Sequence, residues 1–188
     1  MNLLWADLIN SYWHDYRGGG GREDRINNDA WLASFLARCG WAGGRLPGTD
    51  GREALRRLRA LLRRLALGLM ATGTASRRNL LGFKRTLAGA TVVRRLEGGD
   101  GHWSVSLVPT SGDLGHAMGE IANSFATLLV EGDPSRIKIC ANSDCGWVIY
   151  DESRNRTRRW CEATECGNLI KVRRFRSRRR QARQPAAP

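Results

Sequence analysis

No stretch of this 188-residue sequence approaches the roughly 20 consecutive apolar residues that span a bilayer, so no membrane partner is expected. The opening residues, MNLLWADLIN, hold no basic leader, and Asp7 interrupts their apolar run, so they do not read as an export signal. The compartment expected from that is a reducing, bacterial-type cytoplasm. Histidine is scarce. The three present, His14, His102 and His116, are too far apart to suggest a nucleophile–base arrangement. There is no Walker loop, no Rossmann glycine pattern and no HExxH helix, and no internal repeat. These absences argue against an enzyme. Acid is also in short supply: 31 Lys and Arg stand against 18 Asp and Glu, a net charge of +13. A hydrophobic fraction of 41% nevertheless supports a folded core and is not that of a disordered chain.

The excess charge is uneven. Residues 136–188 hold 14 basic against 5 acidic side chains, and the first 135 hold 17 against 13. Such asymmetry points to an anionic partner for the C-terminal part. Asp133-Pro134-Ser135 marks the expected boundary, because proline disfavours helix in the residue before it. The division expected is a domain over 1–135, a small one over 136–180 and a disordered tail over 181–188. In the first, apolar residues recur at helical spacing over 28–40, 51–70 and 113–132. Asn28 or Asp29 is the expected cap of the first helix and Gly40 its stop, while an arginine-rich outer face is expected on the second. Trp103, Val105 and Leu107 alternate with polar residues beyond the turn signal GGDG, which predicts a small hairpin over 91–109. The fold class expected is α+β, mostly α.

What the sequence has in concentration is cysteine. Cys140, Cys145, Cys161 and Cys166 fall within 27 residues as two C-x4-C pairs. In a reducing compartment clustered thiols are metal ligands before they are disulfides. Four thiolates close the tetrahedral sphere of zinc, so one structural Zn2+ per chain is expected, with no open position for catalysis. The segment has little core of its own, and zinc binding, roughly 10–16 kcal/mol, would then be its folding energy. Between the pairs, residues 146–151 are expected as a first strand, 153–157 as a turn and 158–161 as the return. With Cys166 opening a basic helix, the whole reads as a treble-clef-like finger. Cys39, at the end of an amphipathic helix, reads as an ordinary half-buried residue.

These residues carry a resemblance. Cys140, Asp144-Cys145-Gly146-Trp147, Asp151, Ser153-Arg154, Arg158-Arg159-Trp160-Cys161, Cys166-Gly167-Asn168 and Lys171 to Arg174 resemble the CGNR zinc finger. That module lies at the C-terminus of proteins with an N-terminal ABATE domain, a family described as stress-induced transcription regulators in bacteria. Asn10-Ser11, Trp31-Leu32 and Arg52 to Arg56 resemble the ABATE part more loosely. One position departs: Leu169 stands where the motif has its final arginine. The resemblance implies a DNA-binding regulator.

Residues 168–183 hold eight Lys and Arg and no acid. Leu169, Val172 and Phe175 are expected to dock this helix on the finger, leaving the arginines outward. Arginine's planar fork suits phosphate and guanine. The nucleic-acid contacts expected are Lys171, Arg173, Arg174, Arg176, Arg178 and Arg179 on the helix, with Arg154, Arg156, Arg158 and Arg159 before it, acting on double-stranded DNA. RNA is the first alternative. The second is an acidic protein bound by a module whose zinc is purely structural. Trp13, His14, Asp15 and Tyr16 crowd together as a candidate pocket for a small-molecule effector, although a structural turn is the plainer reading. A homodimer is a further candidate role for the first domain.

Overall fold

The computed structural model describes residues 3–182; Arg183 and most of the expected tail, 183–188, lie outside the described residues. The chain forms two compact units. Of the described residues, the first takes 3–12 together with Asp24–Ser135, and the second takes Trp13–Glu23 together with 136–182. The sequence reading kept all of residues 1–135 together. The structure groups residues 13–23 with the C-terminal unit, because Tyr16 packs against the cysteine cluster.

The first unit is built on helices α1 (Leu4–Ile9), α2 (Asp29–Arg38), α3 (Thr49–Thr72), α4 (Arg77–Leu87) and α5 (Leu114–Glu131). Asn28 caps α2 by accepting from the Trp31 N–H at 3.0 Å, and Gly40 follows its end at φ 76°. The spacing of Leu55, Leu58, Leu62 and Leu65 turns one stripe of α3 inward, and Ile121, Phe125 and Leu128 do the same for α5. Trp5 and Phe83 both meet Phe125 edge-on, with ring centroids 5.2 and 5.7 Å away. Helix α4 escapes the sequence reading because Phe83 is its one buried side chain; Ser76, accepting from the Asn79 N–H, starts it.

The arginines of α3 are not all on an outer face. Arg52 donates to the Ile26 carbonyl at 2.8 Å, and Arg56 and Arg59 both clasp Asp24, which is nearly buried. Burial alone would raise the Asp24 carboxyl. The Arg59 and Arg56 guanidiniums outweigh it and hold the group below its ordinary value.

Three strand pairs lie among the described residues. A short ribbon joins β1 (Tyr12–His14) to β2 (Arg22–Asp24). The hairpin expected after residue 91 is present as β3 (Val92–Gly99) and β4 (His102–Pro109), antiparallel with Leu96 opposite Val105 and Gly98 opposite Trp103. In the second unit, β5 (Ile137–Ile139) pairs with β6 (Val148–Tyr150), and α6 (Asn168–Gln181) follows the cysteines.

Candidate metal centre and nucleic-acid surface

The finger's hairpin is not the one the sequence predicts. Strand β6 pairs back onto β5, with Ile137 opposite Tyr150, and residues 158–161 form no return strand. The Cys140 N–H donates to the Trp147 carbonyl at 2.8 Å and extends this ladder one step, so the first cysteine pair lies in the hairpin's own turn. Gly146 closes that turn at φ 67°, where a side chain would be strained. The physical reason for the missing strand is Asp151. Its carboxylate is fully buried. It accepts from the Ser153 N–H at 2.9 Å, the Arg158 N–H at 3.0 Å, the Ser153 hydroxyl and the Lys138 ammonium at 2.6 Å. These donors gather 151–158 into a loop around one carboxylate, which commits the Ser153 and Arg158 N–H groups to Asp151 and not to a neighbouring strand. Burial would raise the Asp151 carboxyl, but Lys138, Ser153 and the backbone N–H groups hold it far below the usual carboxylate range.

The four cysteines meet. Their sulfurs all lie within 4.8 Å of one another. Cys161 Sγ lies 3.6 Å from both Cys145 Sγ and Cys166 Sγ. Sulfurs at about 2.3 Å from one tetrahedral ion stand about 3.8 Å apart, so the cluster has the dimensions of a zinc cage. Its chemistry fits too. All five cysteines are free thiols, and burial pushes the Cys166 thiol up to about 12, with Cys161 adding to the rise. Thiols crowded in this way ionise together only around a cation. The four cysteines form the zinc site of the finger. The bound ion would supply fixed positive charge and folding energy, with no coordination position left over.

The surroundings of the cage hold what the sequence reading did not find. Asn142, fully buried, donates from Nδ2 to the Tyr16 carbonyl at 2.8 Å, and the same nitrogen lies 3.5 Å from Cys166 Sγ. Tyr16, Trp147 and Trp160 pack against the cysteines. Arg173 donates to Asp144 Oδ2 at 2.7 Å and to the Arg17 carbonyl, which ties α6 to the loop after Tyr16. Gly18 sits beside that contact at φ 91°, and a Cβ there would lie 3.1 Å from the Arg173 guanidinium. No spacing rule links Tyr16 to Asn142, so these partners were not legible.

The four expected pocket residues, Trp13 to Tyr16, all lie in the second unit. Asp15 turns its carboxylate into its own loop, accepting from the Arg17 and Gly19 N–H groups at 2.9 and 2.8 Å. Tyr16 packs against the cage, and Trp13 and His14 are half-buried within β1. Cys39 is fully buried rather than half-buried; burial pushes its thiol up to about 12, and it donates to the Phe35 carbonyl.

The basic residues divide into two groups. Arg158 spends its guanidinium on the Trp160 and Cys161 carbonyls, and Arg173 on Asp144. Arg159 lies over the Trp160 ring with 5.5 Å to its centroid. Arg154, Arg156, Lys171, Arg174, Arg176, Arg178 and Arg179 expose their side chains. The apolar stripe expected to dock α6 does not do so. Leu169 is half-buried, but Val172 is 36% and Phe175 58% exposed, and no residue of α6 is buried. The Asp144–Arg173 pair makes part of the attachment that the stripe was expected to make.

A helical unit and a four-cysteine zinc finger with a basic helix after it make the layout of a modular zinc-binding protein. The model of the ABATE family, described as "Putative stress-induced transcription regulator", matches residues 2–132, and that of the CGNR zinc finger matches 136–179. The chain belongs to the ABATE family and ends in a CGNR zinc finger. No curated protein matches the chain. No helix among the described residues is long and apolar enough to cross a membrane.

Proposed function

We propose that the chain is a DNA-binding transcription regulator and not an enzyme, and that the exposed basic side of α6 lies against the phosphates of duplex DNA. One observation carries this reading. Helix α6 holds no acidic residue and buries none of its residues, so Lys171, Arg174, Arg176, Arg178 and Arg179 stand as like charges without an acid on their own helix to offset them. Only Arg173 has an ion-pair partner among the described residues of α6. Such a helix repels itself unless an anion lies along it. Zinc holds the frame from which it projects. Lys171 and Arg174, in the first turns, are the candidates for reaching a base edge.

Binding of a short duplex should weaken with salt, with a logarithmic slope on the order of −3 to −5 per finger. Replacing Arg174, Arg176 and Arg178 together with alanine should flatten that slope by up to about 3 and weaken all sequences alike. Fluorescence anisotropy across a salt series reads both. Unchanged affinity and slope in the triple variant would refute the proposal. Phe175 supports a second reading. An exposed aromatic beside Arg176 and Arg179 suits base stacking in single-stranded RNA. If single-stranded RNA competes better than duplex DNA, and Phe175→Ala abolishes that advantage, the second reading replaces the first.

A further inference from the structure

We propose that the apolar face of the β3–β4 hairpin is a homodimer surface, covered by the same face of a second copy of this chain. The inference stands whether or not the finger binds DNA. The register turns Arg94, Leu96 and Gly98 of β3 to the same side as Trp103, Val105 and Leu107 of β4. On that side Leu96 is 64% exposed, Trp103 66%, Val105 63% and Leu107 64%, and Val92 beside them 42%. The opposite side carries Arg95, Glu97, His102, Ser104 and Ser106 over most of its length, with exposed Val93 and half-buried Val108 confined to its base. The hairpin is therefore amphipathic, yet its apolar side covers no core. Neither strand packs broadly against any other described element; only its base, at Val92, Leu107 and Pro109, borders a cavity of the helical unit. An isolated two-stranded hairpin is marginal in water. Eight-residue strands that keep this alternation need something to lie on.

Three features select a second copy. The first is area. The five exposed side chains present on the order of 600 Å² of apolar surface, at the upper end of a typical monomer's largest patch. With their rim they approach the roughly 800 Å² per partner of a standard interface. The second is shape. A two-fold axis parallel to the strands sets each cross-strand pair against its own reverse. Trp103 of one copy then sits over Gly98 of the other, where no side chain stands, and Leu96 sits over Val105. The bulkiest residue meets the smallest, twice. The third is charge. Arg94 is the one charged residue on this side, so nothing there recruits an oppositely charged partner, and its aliphatic stem can lie along Leu107.

The net charge of +13 works against association at long range. Added salt should therefore tighten the dimer, whereas it weakens contact with nucleic acid. Sedimentation equilibrium of the zinc-loaded full chain, over a range of concentrations and two salt levels, tests this. The wild type should be a reversible dimer that salt favours. Leu96→Glu combined with Val105→Glu should raise the dissociation constant at least about 100-fold by placing two unpaired carboxylates in an apolar contact. Val93→Glu, on the opposite side, should leave it unchanged. Because the double variant could fail to fold, hydrogen exchange on the wild type supplies a second readout: amides of 92–109 should gain protection as concentration rises. A wild type monomeric throughout would overturn the proposal and give the face to another occupant. A dimer indifferent to the double substitution, or one in which the hairpin gains no protection, would overturn it equally.

Discussion

Replacing Asn142 with alanine should loosen the zinc cage without touching a ligand. The side chain is fully buried and serves two neighbours through one nitrogen, the Tyr16 carbonyl at 2.8 Å and Cys166 Sγ at 3.5 Å. Once zinc is bound that sulfur is a thiolate, and a hydrogen bond to a charged acceptor contributes about 1.5–3 kcal/mol. Loss of the bond to Tyr16 adds about 0.5–1.5 kcal/mol, and the cavity left behind is small for a residue of this size. The expected total is about 2–4 kcal/mol against the zinc-bound fold. Outer-shell partners of metal ligands typically change affinity about 10–100-fold, which is the range to look for. Competition with a chromophoric chelator reads the affinity directly, and near-ultraviolet dichroism of Trp147 and Trp160, which pack on the cage, reports whether the finger still closes. Asn142→Asp sharpens the test, since a carboxylate beside the thiolates should weaken binding further by like-charge repulsion. If Asn142→Ala takes up zinc as tightly as the wild type, the nitrogen does not support Cys166 and the reasoning fails.

Cys161→Ser should abolish stoichiometric zinc, as elemental analysis would show, while the helical signal of the first unit and its cooperative unfolding persist; loss of both together would mean the units do not fold separately. Asp24→Asn should destabilise the first unit by about 2–4 kcal/mol, because Arg59 loses its carboxylate partner and Arg56 keeps only the more exposed Glu53. The same carboxyl has a pH signature. Its value in the folded chain lies below its ordinary one, so its stabilisation is fully present above the unfolded value of about 3.9 and fades as pH falls through the lower folded one. Denaturant titrations should therefore show the wild type losing more stability than Asp24→Asn as pH drops below about 4.

Periodicity made α2, α3 and α5 legible, because Leu, Phe and Ile at spacings of three and four are what a buried helical stripe requires. Alternation and GGDG did the same for the β3–β4 hairpin. The four cysteines announced themselves by type and spacing. What stayed hidden was set by long-range polar contacts. The strand pairing of the finger went astray because Asp151 organises a loop that propensity reads as a turn and a strand. Phe175 and Val172 have the apolar character of anchors, but the helix is fastened through Arg173 and Asp144, an ion pair that looks from sequence like two more surface charges. The role of Tyr16 depends on its backbone carbonyl, which every residue has, so no motif could point to it.

The placement of residues 13–23 in the finger's unit has a consequence for synthesis. Tyr16 leaves the ribosome well before the asparagine that will hold it, which follows 126 positions later. At about 5–20 residues per second the wait is roughly 6 to 25 s. During that time the Trp13–Glu23 ribbon has no place to dock, although the helices that come after it can already begin to pack. Capture of the metal must wait longer still, for Cys166, the last of the four ligands to be made. Zinc thus acts as a late fastener for a segment made long before its ligands, and truncated chains that stop short of Cys166 should keep an unsecured Trp13–Glu23 ribbon open to proteases.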